Sequence, residues 1–283
     1  MGSRVGETYL KRLFIFYIPL FMFVGAMIFP FYWMLVTSIK PDNELYNIHN
    51  VPFIVKSATA QHWLYLFQET LFARWALNTL WVATASTALS LFAGVLAGYA
   101  LSRLRFPGST LYGISIFVTY LVPPTLLFIP LADVVSGFGL LDTSWALILT
   151  YPTILVPFST WLLMGYFKTI PKEIEECAMI DGCGRIQTLI RIVLPVSVPG
   201  LLSAGIFAFT LSWNEFLYAL IFIQTEALKT VPVGVVGQLV LGDVFFWGPL
   251  MAAALLGSLP VVIVYMFFQR YFVAGLTAGA VKG

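Results

Sequence analysis

Residues 171–195 read PKEIEECAMIDGCGRIQTLIRIVLP, a polar stretch set between long apolar runs. Pro171 suits the first position of a helix, and the acidic residues that follow it favour the positive end of the helix dipole. Asp181-Gly182 then predicts a turn. Between these limits three side chains at i, i+3 and i+4 form one apolar face: Ile174, Cys177 and Ala178. The stretch therefore begins with a short amphipathic helix.

A second short helix is predicted after the turn. It ends at Leu194-Pro195 and carries its apolar residues on one side: Ile186, Leu189, Ile190 and Val193. Two short helices joined by a glycine turn make a rigid knob. The pattern leaves two interpretations open, because such a segment can be gripped by a partner protein or can lie on lipid headgroups.

The chain around this stretch is far more apolar than a soluble domain. Hydrophobic residues make up 60% of its 283 residues, charged residues make up 10%, and the mean hydropathy is +0.91. Almost every charge lies in a short polar stretch between apolar runs, which indicates loops and membrane spans. The 15 basic residues barely exceed the 13 acidic ones, so the sequence offers no basic surface for a nucleic acid.

Six apolar stretches are long enough to cross a bilayer core, which needs roughly 20 helical residues. They predict an all-α integral membrane protein with six transmembrane helices, embedded in a lipid bilayer. The first is too long for a secretory signal and lacks its cleavage site, so we interpret it as a retained helix. Pro123-Pro124 interrupts the third, and Gly94 and Gly98 in the second predict close approach of a neighbouring helix. The stretches are residues 13–39, 75–101, 111–132, 144–164, 199–223 and 249–268.

The basic residues orient these spans. With the N-terminus in the cytoplasm, eleven basic residues lie inside and four lie outside, a bias that follows the positive-inside rule. Both termini and the loop of residues 168–199 are therefore predicted to be cytoplasmic, in a multi-pass protein of the cytoplasmic membrane. The longest external segment, residues 40–74, mixes proline, asparagine and aromatic residues, and we expect it to be folded.

The sequence lacks the usual signs of an enzyme or of an ion-driven carrier. It contains no G-x-x-x-x-G-K-[ST] phosphate loop and no nucleophile with a base partner. Its two cysteines and two histidines lack metal-ligand spacing, so no metal site is predicted. An ion-driven carrier needs ionisable residues within its spans, and Glu215 is the one such residue here. We therefore predict a protein that is not an enzyme and that takes its energy from another subunit.

The cytoplasmic stretch resembles the E-A-A-x3-G-x9-I-x-L-P loop of binding-protein-dependent ABC importer permeases. The match holds position for position except at Cys177, where another small apolar side chain replaces the first alanine. The resemblance implies the type I importer permease fold and a coupling helix that docks into a cleft of the ATPase subunit. It implies an ATPase-coupling role for a set of loop residues: Glu176, Cys177, Ala178, Asp181, Gly182, Ile192, Leu194 and Pro195.

The same resemblance implies the partners and the domains. A permease of this family pairs with a second permease, usually an unlike one, and receives its substrate from an extracytoplasmic binding protein. ATP and Mg²⁺ bind the ATPase dimer, so no cofactor is expected on this chain. The expected domains are the first helix with the external loop (1–74), the permease core (75–270, with the coupling loop 168–199) and a cytoplasmic tail (271–283).

Three other stretches resemble maltose-type carbohydrate permeases. They are the chain end after Phe268, the loop from Arg103 to Gly108 and the residues Trp213-Asn214-Glu215-Phe216, which is similar to W-N-x-[FY]. The first implies a tail contact with the ATPase dimer interface through Gly279, Lys282 and Gly283. Aromatic faces and amides suit sugars. The candidate residues of the substrate pathway are therefore Trp213, Asn214, Glu215 and Tyr218, although an Asn-Glu pair also suits a structural hydrogen bond between helices.

Taken with these resemblances, the sequence predicts a permease that imports a mono- or oligosaccharide by alternating access, driven by a separate ATPase subunit. A glycerol phosphate is the alternative cargo, but it would favour Arg or Lys within a span, and no predicted span interior contains either. The alternatives outside this class are a membrane scaffold subunit without transport and a secondary carrier that depends on an ion gradient.

Overall fold

Helices form most of the structure, a computed structural model that describes residues 11–104 and 106–278. Two strands, β1 (Val240–Leu241) and β2 (Val244–Phe245), form an antiparallel hairpin with Val240 opposite Phe245. A short 3₁₀ turn lies at Glu226–Leu228. The helices are α1 (Leu13–Ile39), α2 (Asp42–Leu45), α3 (Gln61–Gln68), α4 (Phe72–Arg103), α5 (Ser109–Tyr120), α6 (Pro124–Gly137), α7 (Ser144–Thr169), α8 (Lys172–Ile180), α9 (Arg185–Val196), α10 (Val198–Trp213), α11 (Leu217–Phe222), α12 (Val231–Leu239) and α13 (Trp247–Ala278).

Four helices within the described ranges, α1, α4, α7 and α13, are each long and apolar enough to cross a bilayer. Two bent helix pairs bring the number to six when each pair counts as one span. The pair α5 and α6 is bent by 99°, and the pair α9 and α10 is bent by 80°. The first bend lies at Pro123-Pro124, as the sequence predicts, because proline lacks the amide proton that would continue the helix.

The predicted fifth span, residues 199–223, is not one helix. Helix α10 ends at Trp213, and α11 begins only at Leu217. The intervening residues contain neither proline nor glycine, although Asn214 and Glu215 are polar. The prediction of a continuous helix was wrong because a side chain replaces helical hydrogen bonds at this point.

The chain divides into two compact units, Met1–Thr70 with Gly237–Ser258, and Leu71–Val236 with Leu259–Gly283. The first unit contains most of the predicted external segment, which is folded as expected. The Glu44 carboxylate accepts hydrogen bonds from the backbone N–H groups of Lys56 (3.0 Å) and Ser57 (3.2 Å). The Lys56 bond is the largest of the effects that hold the pKa of this carboxyl below its usual value. The Lys40 ammonium donates to the carbonyls of Val51 and Pro52.

The second unit is built around the contact between α4 and α7. Both glycines of the G-x-x-x-G sequence face α7: a Cβ placed on Gly94 would lie 3.0 Å from Ser159, and one on Gly98 would lie 3.1 Å from the backbone nitrogen of Met164. This confirms the predicted close approach of a neighbouring helix. Helix α10 joins α4 through a buried hydrogen bond of 2.8 Å between the hydroxyls of Ser86 and Ser212.

Asp142 connects two loops on the predicted external side of this unit. Its carboxylate accepts hydrogen bonds from the backbone N–H groups of Gln224 (3.0 Å) and Thr225 (2.9 Å), and from the Thr225 hydroxyl (2.5 Å). These bonds, with the hydroxyl first among them, lower the pKa of Asp142. The residue also adopts a left-handed backbone conformation, with φ of 58°.

Asp142→Asn is expected to lower the unfolding temperature at neutral pH and to reduce the change in unfolding temperature between neutral and acid pH. A lowered carboxyl pKa contributes stability above the unfolded-state pKa of about 3.9, and this stability is lost as the pH falls through the folded-state pKa. Asparagine tolerates the left-handed conformation, so the substitution mainly removes the charge. The check is thermal unfolding of the purified protein at pH 7 and below pH 4, with Asp243→Asn in the β hairpin as the control. An identical acid dependence in wild type and Asp142→Asn would contradict it.

Candidate functional site

The predicted knob is present as α8, a turn and α9. Three backbone hydrogen bonds close the turn: Asp181 N–H to Cys177 O, Gly182 N–H to Met179 O and Cys183 N–H to Ala178 O. Gly182 has φ of 88°, a left-handed conformation that glycine adopts without a steric cost. The second helix extends to Val196, and its middle, Leu189–Val193, is π-helical. The knob interpretation is confirmed, with a longer second helix than the sequence suggested.

The buried side of α8 differs from the predicted apolar face. Within α8, all of which the structure describes, the buried side chains are Glu175 and Ala178, whereas Ile174 and Cys177 are exposed. The prediction failed because periodicity cannot reveal an ionic partner, and Arg103 lies opposite this helix and turns the Glu175 side inward.

The apolar side of α9 is likewise divided. Leu189 and Val193 are buried against α4 and α7, where they join a core that includes Tyr99 and Phe167. Ile186 remains 74% exposed. The structure therefore leaves apolar side chains on the outside of the knob: Ile174, Ile180, Ile186 and Ile190.

The residues of the coupling motif occupy two environments. Ala178 is buried, and Ile192 and Leu194 are half-buried; Leu194 packs against the core that includes Tyr99 and Phe167. The remaining motif residues are exposed and can be reached by a partner: Glu176, Cys177, Asp181, Gly182 and Pro195. The motif thus contains both exposed residues and residues that support the knob from behind.

Gly182→Ala is expected to destabilise the turn locally by about 1–2 kcal/mol, because a left-handed conformation disfavours a side chain. No atom lies within 4 Å of a Cβ placed there, so no clash contributes. Gly184→Ala is the control, since that Cβ also meets nothing within 4 Å and the Gly184 φ is −72°. Hydrogen exchange of the turn amides should be about fivefold to thirtyfold faster in Gly182→Ala than in wild type. Equal acceleration in both variants would contradict a conformational cause.

A buried ion pair behind the knob was not identified from the sequence. The Arg103 Nε donates to Glu175 Oε1 at 2.5 Å, and the two side chains are 5% and 8% exposed. Tyr99 donates its hydroxyl proton to Glu175 Oε2 at 3.2 Å, and Arg103 Nη2 donates to the carbonyl of Ile170 at 2.7 Å. The sequence showed Arg103 in the loop that resembles the carbohydrate permeases, and it showed three carboxylates in α8. Helical periodicity could not indicate that one of these carboxylates forms an ion pair with Arg103.

The candidate pathway residues surround the break between α10 and α11. The Glu215 carboxylate accepts hydrogen bonds from the backbone N–H groups of Tyr218 (2.8 Å) and Ala219 (3.1 Å), so it caps α11. Trp213 and Tyr218 are 4% and 0% exposed, and both pack inside the chain. Asn214 is exposed, and its amide donates to the carbonyl of Thr210 in the same helix. The hydrogen bonds given above for Asn214 and Glu215 are therefore made to backbone groups that are close to them in the chain.

The predicted tail begins later than expected. Helix α13 continues to Ala278, beyond the predicted boundary at residue 270, because the intervening residues contain no proline that would end it. The predicted ATPase-contact residues Gly279, Lys282 and Gly283 lie outside the described residues. Within residues 11–104 and 106–278, no three histidine, cysteine or acidic side chains are grouped to hold a metal ion.

The described residues form a multi-span helical fold with an exposed knob, which fits the membrane subunit of a transporter. Residues 90–278 match the family described as "Binding-protein-dependent transport system inner membrane component". The match covers more than half of the chain, and the chain belongs to this family of ABC importer permeases. The family provides the multi-pass inner-membrane component of the transport system, while ATP hydrolysis belongs to a separate ATPase.

Related proteins match nearly the whole chain. The inner membrane ABC transporter permease protein YcjP of Escherichia coli (strain K12) is 38% identical, covering 95% of this chain and 96% of that protein. The trehalose/maltose transport system permease protein MalG of Thermococcus litoralis is 35% identical, covering 98% and 99%. A chain from a crystal structure of a bacterial ABC transporter involved in the import of the acidic polysaccharide alginate has a TM-score of 0.81 at 21% identity, covering 96% and 99%. This last likeness shows that the fold is shared.

Proposed function

We propose that the chain is one of two permease subunits of an importer that moves a sugar across the inner membrane, with ATP hydrolysed by a separate ATPase dimer. The observation that carries the proposal is the exposed knob of α8 and α9, which presents the family motif from a bundle of membrane-spanning helices. The names of relatives support the cargo class, since MalG of Thermococcus litoralis belongs to a trehalose/maltose transport system.

The surface of the knob suits docking into a protein cleft. Ile180 and Ile186 are 85% and 74% exposed, and the exposed carboxylates of Glu176 and Asp181 lie four residues before and one residue after Ile180 in the chain. Burial of the isoleucines against the ATPase would supply an apolar contact, and the carboxylates would select basic groups around it. A rigid knob in a socket converts closure of the ATPase dimer into a rigid-body movement of the helices attached to it, which supports alternating access.

The helix break supports a neutral cargo. Asn214 is the exposed member of the candidate pathway residues, and its amide offers hydrogen-bonding groups of the kind that sugar hydroxyls need. Glu215 caps α11, and the buried Trp213 and Tyr218 hold the break in shape. A glycerol phosphate would favour a cationic pathway, and the predicted span interiors contain neither Arg nor Lys.

The proposed assembly contains this chain, a second and unlike permease, an ATPase dimer and an extracytoplasmic sugar-binding protein. ATP and Mg²⁺ would bind the ATPase, since this chain has no phosphate-binding loop in its sequence. The contact of Gly279, Lys282 and Gly283 with the ATPase dimer interface remains part of this proposal and follows from the family resemblance.

The test is reconstitution of the assembled transporter in lipid vesicles, with ATP hydrolysis and sugar uptake measured together. Addition of the binding protein loaded with its sugar should stimulate hydrolysis and produce uptake, while the binding protein loaded with other sugars should not. Uptake that needs an ion gradient but no ATP would indicate a secondary carrier. Normal assembly of all subunits without uptake of any sugar or glycerol phosphate would indicate a scaffold.

A further inference from the structure

We propose that the buried pair Arg103 and Glu175 links the knob to α4, and that α4 carries the movement of the knob to another loop on the predicted external side, residues 226–231, which follows α11. The inference rests on the proposed function, because it concerns how movement imposed by the ATPase crosses the membrane. It makes Arg103 and Glu175 positioning residues that act behind the docking surface.

The first observation is how α8 is held. Of its two buried side chains, Ala178 offers one methyl group, so Glu175 makes the polar contacts with the bundle. The Glu175 carboxylate receives hydrogen bonds from Arg103 and Tyr99, which are one helical turn apart at the cytoplasmic end of α4. Charge-assisted hydrogen bonds in a desolvated site are short and directional, so they resist sliding of α8 along α4.

Arg103 also fixes the segment before α8. Its Nη2 donates to the carbonyl of Ile170, in the linker between α7 and α8. One guanidinium therefore joins three elements: the end of α4, the linker and α8. The planar fork of arginine makes this geometry possible, and lysine could not reproduce it with one ammonium group.

The connection from α9 to α10 is less direct. Helix α9 continues into α10 through Ser197, but the two helices are bent by 80° at that point. A bend transmits force along the chain poorly compared with a straight helix, because it can open or close. The ion pair connects α8 instead to a helix of 32 residues that runs uninterrupted from Phe72 to Arg103.

The opposite end of α4 is hydrogen-bonded to the loop at residues 226–231. At 1.5 Å per residue, its 32 residues span about 48 Å, more than the hydrocarbon core of a bilayer. The Trp75 Nε1 donates to the Glu226 carbonyl at 2.8 Å, and Asn78 donates to the Ala227 carbonyl at 2.9 Å. The Thr79 hydroxyl oxygen accepts from Val231 N–H at 2.8 Å. A push on α8 thus reaches residues 226–231 through one rigid element.

The experiment uses the assembled transporter in lipid vesicles and compares wild type, Glu175→Gln and the double variant Arg103→Met with Glu175→Met. The double variant leaves no unpaired buried charge, so it guards against a simple folding failure. Glu173→Gln removes an exposed carboxylate from the same helix and is the matched control. The readouts are retention of the ATPase, ATP hydrolysis, and sugar imported per ATP.

We expect both pair variants to keep the ATPase and to hydrolyse ATP while importing at least tenfold less sugar per ATP, and the control to import as wild type does. Unchanged import per ATP in the double variant would overturn the proposal. Loss of the ATPase subunit or of hydrolysis in step with import would also overturn it, because that result indicates a structural role only.

A second readout does not depend on the cargo. A spin-labelled unnatural amino acid replaces Leu77, an exposed position near the outer end of α4, and both native cysteines stay in place. ATP should change the label signal in the otherwise wild-type chain and leave it unchanged in Glu175→Gln. The same ATP response in both chains would contradict the link even if no sugar were imported, whereas absent uptake with an intact difference would contradict only the sugar assignment.

Discussion

Gly98→Leu is expected to force α4 and α7 apart and to destabilise the folded protein by about 3 kcal/mol or more. A Cβ at this position would already lie 3.1 Å from the Met164 nitrogen and 3.3 Å from the Thr160 carbonyl oxygen. Both are backbone atoms of α7, and neither can rotate away. The further carbons of leucine would therefore have to displace a whole helix.

The matched control for this substitution is Gly165→Leu on α7, where no atom lies within 4 Å of a Cβ. Thermal unfolding of the purified transporter, together with the amount recovered after solubilisation, checks the prediction. Wild-type stability in Gly98→Leu would show that α4 and α7 are not packed as described. A loss of equal size in Gly165→Leu would show that any large side chain on α7 is harmful.

The second large effect is expected from Gly234→Ala in α12. A Cβ there would lie 2.3 Å from Cδ2 and 2.5 Å from Cε2 of Trp75. The Trp75 ring is fully buried, and its Nε1 donates to the Glu226 carbonyl, so it cannot swing aside. Replacing glycine with alanine inside a helix ordinarily adds about 0.5–1 kcal/mol of stability. Overpacking costs about 1–3 kcal/mol or more and outweighs this gain, so a net loss is expected.

Gly25→Ala in α1 separates the gain from replacing a helical glycine from the cost of overpacking, because no atom lies within 4 Å of a Cβ at that position. It should be neutral or slightly stabilising in thermal unfolding, while Gly234→Ala lowers the unfolding temperature. If both variants gained stability, the contact between α12 and Trp75 would be looser than the structure shows. Both substitutions add the same methyl group to a helix, so their difference isolates the effect of Trp75.

The apolar spans and the helix–turn–helix of the knob could be predicted because their signals are local. Long apolar runs predict membrane helices wherever they occur, and Pro123-Pro124 marks the break between α5 and α6. The turn at Asp181-Gly182 could also be predicted, since its conformation depends on a few adjacent residues. The G-x-x-x-G sequence predicted a close helix contact, although it could not indicate that α7 is the neighbour.

The helix break after Trp213 was not predicted, and the reason is physical. A helix is the ordinary solution in a membrane because it satisfies every backbone group, and residues 213–216 contain no proline or glycine to mark a break. Here the Glu215 carboxylate accepts the N–H groups of Tyr218 and Ala219, which removes the cost of interrupting the helix. Whether a carboxylate reaches backbone donors depends on the conformation of the break itself, and no residue pattern specifies it.

The sequence by itself determined which segments are apolar enough to cross a membrane and where the family motif lies, and it predicts which side the basic loops occupy. These properties are sums over neighbouring residues. The tertiary structure decided which of the carboxylates in α8 is buried, because this depends on the rotation of α8 against α4. Glu175 meets Arg103, 72 positions earlier in the chain, only after the helices have packed, so the inner support of the knob is a property of the folded protein.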